Sequence, residues 1–346
     1  MAYTTVPKST DYFNTKLYTG NGSTNAITGV GFQPDFVWQK SRSNAEGHGL
    51  FDVLRGVTNR IQSNTLNAES SIAGSLQSFD SDGFTVGNDV GANGNGQTFA
   101  SWNWKANGQG SSNTEGSINT TYTSANTTSG FSIIQYTGNA TASATIGHGL
   151  GKIPTMIIFR RYAQAENWDV YHQAIGNAKS IRLNETGAAF DNATALTSTT
   201  PTSNLITLGT SVTTNANGNP MIAYCFADVQ GFSKMGSYIG NGNADGIFAY
   251  TGFKPAFVMT RPSSGVGSWY MLDNKRANPF NVVTGRLEAD GSGTENTGFT
   301  WCDFTSNGFK IRTTEGGINA SGVTFIYMAF AEEPLVSTNG NAATAR

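Results

Sequence analysis

The side chains able to do nucleophilic, acid–base or metal chemistry are few in this sequence and far apart. The histidines are His48, His148 and His172, and no two of them have the spacing that places metal ligands side by side. Cys225 and Cys302 are too distant in the chain and too few to indicate a disulfide framework or a zinc cluster. The sequence therefore predicts no metal site and no cofactor, and it favours a small apolar core role for Cys225.

Paired carboxylates are another route to catalysis, because glycosidases hold two of them roughly 5 to 10 Å apart. The 23 acidic residues are spread along the chain, and no pair of them recurs. We therefore expect a non-enzymatic protein. A carbohydrate-active hydrolase stays open as the third alternative, and the carboxylates that could form its pair are Asp52, Asp273, Glu288 and Glu315.

Aromatic and arginine side chains form a candidate ligand-binding site. Trp168 and Trp269 stand in polar stretches, which favours their exposure. Together with nearby arginines they could stack on a sugar ring and bind its hydroxyl groups. Packing between repeated parts of the chain is the other interpretation. The candidate residues are Trp168, Trp269, Tyr270, Arg160 and Arg261.

These residues belong to an internal repeat with ordered anchors. Residues 18–21, 136–139 and 238–241 each read Tyr-x-Gly-Asn. Sixteen to eighteen positions after each tyrosine, a proline leads into an apolar run whose sixth residue is basic. The prolines and basic residues are Pro34 and Lys40, Pro154 and Arg160, and Pro255 and Arg261. Three copies of one unit are therefore expected, each closing on an aromatic-rich run at residues 98–104, 220–226 and 324–330.

Within each copy, short apolar or alternating runs are separated by Asn-Gly, Asp-Gly and Ser-Gly breaks, a pattern typical of antiparallel strands and hairpin turns. We predict an all-β fold of three tandem antiparallel β-sandwich units of jelly-roll or lectin-like type, each about 95 residues long. Period two places Trp38, Trp102 and Trp104 in the core. The predicted divisions are an N-terminal arm at 1–11, units at 12–106, 130–229 and 230–336, a Gly/Ser/Asn/Thr linker at 107–129 and a C-terminal tail at 337–346.

These divisions predict how the units move. The second and third units follow each other closely, which favours a rigid pair, whereas the first unit is expected to move on its linker. Below, the first, second and third segments are residues 12–106, 130–229 and 230–336.

Composition and charge exclude several kinds of partner. Charged residues make up 13 % of the chain, against roughly 25 % in an average soluble domain. The formal net charge is −2, which argues against nucleic-acid binding and against a polybasic membrane surface. No apolar run is long enough for a spanning helix, and the N-terminus lacks the pattern of a signal peptide. We expect synthesis in a reducing compartment and no membrane insertion.

Several runs of the sequence resemble a repeated β-sandwich module of tailed-bacteriophage virion proteins. The runs are residues 18–40, 50–56, 82–87 and 329–334. This module occurs in phages of marine and cyanobacterial hosts, where it is described as tail-fibre-like or lectin-like. The second segment departs most, since it lacks the Asp-Gly-Phe turn. The resemblance implies a part of the virion and supplies no catalytic motif.

Two structural functions follow from this resemblance. The first is a tail- or fibre-associated component for host attachment, and the alternative is a capsid decoration protein that stabilises the shell. Either would have other virion proteins as partners and would favour a homo-oligomer, with a trimer plausible. Attachment adds a host-surface glycan as a further expected partner.

Overall fold

The computed structural model describes residues 3–276 and 281–336. Those residues form 26 β-strands and four α-helices of four residues each. Every pairing between strands in the three large sheets is antiparallel, which confirms the prediction of an all-β fold. None of the helices in the described part of the chain has the length or apolar character needed to cross a membrane.

The first segment contains a four-stranded sheet in the order β1-β9-β3-β4, a three-stranded sheet in the order β2-β8-β7, and a small β5-β6 ladder. Its strands and helix are β1 Phe13–Thr19, β2 Asn25–Thr28, β3 Phe36–Ser41, β4 Gly49–Asp52, β5 Asn59–Arg60, β6 Ser70–Ser71, β7 Leu76–Asp80, β8 Gly83–Val86, α1 Val90–Asn93 and β9 Thr98–Trp104. A 3₁₀ turn at Ser9–Asp11 precedes them.

The second segment builds a larger sheet in the order β10-β11-β18-β13-β14-β15-β16 and a two-stranded sheet, β12-β17. The first of these strands, β10 Tyr122–Asn126, comes from residues 107–129, which precede the segment. The segment's own elements are β11 Phe131–Thr137, β12 Ala144–Gly147, β13 Pro154–Arg161, β14 Asp169–His172, β15 Lys179–Arg182, β16 Phe190–Asp191, α2 Ala193–Leu196, β17 Leu205–Leu208, α3 Val212–Asn215 and β18 Pro220–Ala227. A 3₁₀ turn at Gln173–Ile175 follows β14.

The third segment contains a five-stranded sheet in the order β19-β26-β21-β22-β23 and a three-stranded sheet in the order β20-β25-β24. Its elements are β19 Ser233–Ile239, β20 Phe248–Tyr250, β21 Phe253–Pro262, β22 Tyr270–Asp273, β23 Arg286–Glu288, β24 Cys302–Thr305, β25 Gly308–Ile311, α4 Gly316–Asn319 and β26 Thr324–Pro334. In every segment the opening strand pairs with the closing strand, which pairs in turn with the strand that follows the proline.

Each large sheet buries both of its faces. In the first segment one face packs on the small sheet, where Val37 and Phe51 meet Phe84 and Val86. The opposite face points toward the other segments and joins a single aromatic core. Ring pairs that cross between segments in this core include Phe13–Phe330, Phe36–Tyr224, Trp104–Phe226 and Phe226–Phe330. The three segments therefore share one core, and Trp38, Trp102 and Trp104 are buried as predicted.

Residues 107–129 differ from the flexible linker that their composition predicts. They include β10, which adds a strand to the edge of β11. The Ile118 side chain enters the core of the second segment, and its amide donates to the Thr145 carbonyl over 2.9 Å. An edge strand satisfies its backbone through one neighbour and needs no apolar alternation, so its polar sequence concealed it. Because the first segment also shares the central core, the expected mobility of that segment is wrong.

The repeated Tyr-x-Gly-Asn motif closes each segment around a buried asparagine that stands five residues before the closing strand. In the first segment the Asn93 side chain accepts from the Asn21 amide over 3.1 Å and donates to the Gly87 carbonyl over 2.6 Å. The Tyr18 hydroxyl donates to the carbonyl of Ala92 on the same short helix. In the equivalent contacts Asn215 bonds Asn139 and Gly209, and Asn319 bonds Asn241 and Thr313. The Tyr136 and Tyr238 hydroxyls donate to the carbonyls of Thr214 and Ile318, the residues just before these asparagines.

The predicted N-terminal arm packs on the third segment. The Tyr3 hydroxyl donates to the Gly252 carbonyl over 2.7 Å, and Val6 is buried in the shared core. The predicted C-terminal tail at 337–346 lies outside the described residues.

Candidate functional site

Two arginine–tryptophan stacks predicted from the sequence do form, but inside the protein. The Arg160 guanidinium lies 5.3 Å from the Trp168 ring, and the Arg261 guanidinium lies 5.1 Å from the Trp269 ring. All four side chains are completely buried, so the expected exposure of the two tryptophans is wrong. Each indole is covered by residues of the neighbouring segment, so its position in a polar stretch does not expose it. These stacks lie at contacts between segments, which was the alternative interpretation.

The indoles bind the backbone of the preceding segment. Trp168 Nε1 donates to the Gln62 carbonyl, and Trp269 Nε1 donates to the Arg182 carbonyl, each over 2.9 Å. At the equivalent position of the first segment, His48 Nε2 donates to the Glu288 carbonyl over 2.9 Å. The three segments therefore contact one another in a closed ring. We call the contacts the first–second, second–third and third–first joints.

The two arginines add further bonds to backbone carbonyls at the joints. Arg160 donates to the Leu66 carbonyl over 2.8 Å across the first–second joint. Arg261 donates to the carbonyls of Arg182 and Glu185, over 2.7 and 2.9 Å, across the second–third joint. The planar guanidinium suits this role because it directs several donors at once.

Buried aspartates form an inner set of contacts at two joints. At the first–second joint the Tyr224 hydroxyl donates to Asp52 over 2.7 Å. At the third–first joint Trp102 Nε1 donates to Asp273 over 3.0 Å. Each aspartate forms a 2.6 Å ion pair with the arginine three residues later, Arg55 or Arg276. Two of the four carboxylates considered for a hydrolase thus hold the segments together.

Asp273 is ionised despite its burial. Burial alone would raise the pKa of this carboxyl, but the Arg276 guanidinium and several hydrogen bonds hold the pKa below its ordinary value. A charged acceptor strengthens the bond from the Trp102 indole.

The second–third joint has a different inner contact. His172 occupies the position of the two aspartates, because Met156 faces His172 just as Phe36 faces Asp52 and Phe257 faces Asp273. His172 Nε2 donates to the Tyr327 carbonyl over 3.1 Å, and Nδ1 accepts from the Ala174 amide. Ile175 stands where the arginines stand, and Met328 replaces the aromatic donor.

The two histidines at the joints are neutral. Burial lowers the pKa of His48 to about 3 and that of His172 to about 4. In each ring one nitrogen accepts a hydrogen bond, from the Trp38 indole to His48 and from the Ala174 amide to His172. A second proton would convert that acceptor into a donor facing a donor.

An open cleft of about 460 Å³ lies beside β23 in the third segment. The Arg286 guanidinium contacts two rings that themselves meet edge to face, and it lies 4.2 Å from the Tyr270 ring and 4.7 Å from the Trp301 ring. Its Nη2 contacts the Glu288 carboxylate over 2.8 Å. The residues that line the cleft are Arg286, Leu287, Glu288, Gly293, Thr294, Glu295, Asn296 and Thr297. Tyr270, one of the predicted site residues, therefore lies next to this cleft through its contact with Arg286.

Among the described residues, a tyrosine at the position of Tyr270 occurs in the third segment alone. The position of Tyr270, opposite Glu288 in the strand register, is taken by Asp169 opposite Arg182 in the second segment. In the first segment the bridge between Leu50 and Ile61 places Gly49 there and Arg60 at the position of Arg286. Arg60 pairs with Asp89 over 3.2 Å and has no ring on either side.

Comparison with known proteins places the chain in a family. Residues 8–334 match a family described as a domain of unknown function, DUF7483. The chain belongs to that family. The match runs through all three segments, in agreement with their shared core. Neither the curated proteins nor the solved structures contain a match to the chain.

Sequence reasoning missed several residues of this DUF7483 domain that organise the joints and the cleft. Arg55 and Arg276 could have been found, because both segments read Asp-x-x-Arg at aligned positions. Arg286 and Trp301 carried no such signal, since the pairing of β23 with β22 brings them to Tyr270. Across residues 3–276 and 281–336, no three histidine, cysteine or carboxylate side chains lie close enough together to hold a metal ion.

Proposed function

We propose that this protein is a non-enzymatic structural component of a bacteriophage particle, displayed at the particle surface on the tail and used in host attachment. Its proposed partners are other virion proteins and further copies of the chain. The sequence resemblance supports the assignment to a bacteriophage particle. The three-segment ring is the most direct structural support for a structural role.

The ring is the observation that carries this proposal. Equivalent positions contact the next segment at each joint, and the last joint returns to the first segment. Head-to-tail contacts of this kind close when the rotation between units allows it, as in cyclic oligomers. The single chain thus forms a three-part body of the kind that oligomeric appendages build from separate subunits.

Residue usage in the ring also favours a structural role. Asp52, Asp273 and the joint histidines are fully buried and bonded to neighbouring segments, which leaves them no access to a substrate. Burying charges is costly unless they are paired, and here each aspartate has an arginine partner. Burial and pairing of these polar residues support a role in holding the protein together rather than in catalysis.

Immunogold labelling of intact virions tests the proposal. Gold at a single vertex, on the tail, is the expected result, with virions lacking the gene product as the unlabelled control. Labelling over the whole shell would overturn the attachment function and leave capsid decoration. Purified particles that carry neither label nor the protein by mass spectrometry would overturn the virion assignment itself.

A further inference from the structure

The cleft beside β23 holds an arginine whose donors are fixed in place before any ligand arrives. The Arg286 guanidinium packs against both Tyr270 and Trp301, whose rings contact each other edge to face, and the Arg286 side chain is 14 % exposed. The buried Nε of Arg286 has no partner among the described residues. Rotational freedom has been removed from this side chain without all of its hydrogen bonds being used, and such preorganisation lowers the cost of binding.

The neighbouring groups offer acceptors next to those donors. The Glu288 carboxylate contacts Arg286 and is one-third exposed. Threonine hydroxyls and an asparagine amide complete the wall, at Thr294, Asn296 and Thr297. A ligand for this wall must therefore present donors and acceptors close together. The partly exposed carboxylate of Glu288 disfavours an anion, and the polar lining disfavours an apolar ligand.

An exposed aromatic ring, Phe299, packs against the buried Trp301, which in turn contacts Arg286. Phe299 is 47 % exposed, and its ring centroid is 5.0 Å from that of Trp301. An exposed ring beside fixed polar groups suits a ligand with one apolar face and a polar edge. Sugar rings have this form, since C–H groups line one face and hydroxyls surround the edge.

We propose that this cleft is a saccharide-binding site, in which Arg286 and Glu288 bind neighbouring hydroxyls and Phe299 packs against the ring. The site is specific to the third segment, because the first segment has glycine and the second has aspartate in place of Tyr270. The inference rests on the proposed attachment function and names its ligand class.

Glycan binding by the full-length protein and three variants tests the site. The probe is a printed array of bacterial surface polysaccharides, and the polysaccharide bound best is then titrated by calorimetry. Arg286→Lys keeps the charge and removes the planar stack, whereas Phe299→Ser removes an exposed ring. Arg60→Lys is the matched control at the equivalent position of the first segment. Thermal unfolding of each variant establishes that it is folded.

We expect the dissociation constant to rise about tenfold or more in Arg286→Lys and in Phe299→Ser, and to stay within about twofold in Arg60→Lys. No binding to any polysaccharide on the array would overturn the site. Equal binding by all variants, or an equal loss in the control, would also overturn it. Tail labelling without glycan binding refutes the cleft alone, and glycan binding by a protein absent from virions refutes the proposed function alone.

Discussion

The second–third joint differs from the other two in the buried polar groups at its centre. Two joints have an aspartate, an arginine three residues later and an aromatic donor from the next segment. The second–third joint has none of these, and His172, Ile175 and Met328 stand in their places. Removing one member would leave a buried charge or donor without a partner, which costs several kcal/mol. The three groups thus behave as one unit that is kept or lost together.

Breaking the unit at the third–first joint gives the largest expected effect. Asp273→Ala removes the closer of the two carboxylates paired with the buried Arg276, which keeps only Glu295, and leaves the Trp102 indole without its acceptor. We expect a loss of about 3–5 kcal/mol in the free energy of unfolding, measured by urea denaturation.

The matched control for that variant is Asp273→His combined with Arg276→Ile, which introduces the residue types of His172 and Ile175 at the two equivalent positions and keeps Trp102. It leaves no unpaired charge, so its loss should be smaller than that of Asp273→Ala. A double variant at least as unstable as the single one would contradict the view that the charges form a unit.

Acidification distinguishes the joints by a second route. The folded-state pKa of His172 is about 4, below the ordinary 6.5, so the unfolded chain binds more protons between these values. The contribution of His172 to stability is complete above pH 6.5 and falls by about 1.4 kcal/mol per pH unit as the pH drops toward 4. In His172→Gln the pH dependence of unfolding between pH 6 and 4.5 should be shallower by that slope. An unchanged slope would show that His172 is protonated in the folded protein.

The smallest effect is expected from a single indole hydrogen bond. Trp168→Phe keeps an aromatic ring at the first–second joint but removes the donor to the Gln62 carbonyl. We expect a loss of about 1 kcal/mol in the free energy of unfolding, beyond the cost of the smaller ring. Val266→Ser, at a residue 77 % exposed, serves as the control and should change the stability by less than about 0.5 kcal/mol. Equal values for the two variants would mean that the bond contributes nothing.

The sequence was informative about local structure, because strand and turn chemistry is local. Alternation predicted the all-β fold, and period two placed Trp38, Trp102 and Trp104 in the core correctly. Proline-led runs became β3, β13 and β21 or led directly into them.

Relations between segments could not be read in this way. Trp168 and Trp269 are buried by residues distant in the sequence. Such burial leaves no periodic pattern near the tryptophans, so the sequence predicted their exposure. For the same reason β10 looked like a linker, and Arg286 could not be connected to Tyr270. One relation could have been predicted by aligning the segments. Each has an asparagine five residues before its closing strand, at Asn93, Asn215 and Asn319.

The third–first joint also has a kinetic consequence. Arg42 binds Glu295 across 253 positions of the chain, and His48 binds Glu288 across 240. Contacts of such high contact order form slowly, since the chain must lose loop entropy before they stabilise it. Interactions that form after the folding transition state mainly slow unfolding. A protein closed in this way would unfold slowly because its activation barrier to unfolding is high. The half-life of the folded state then need not depend on a large free energy of unfolding.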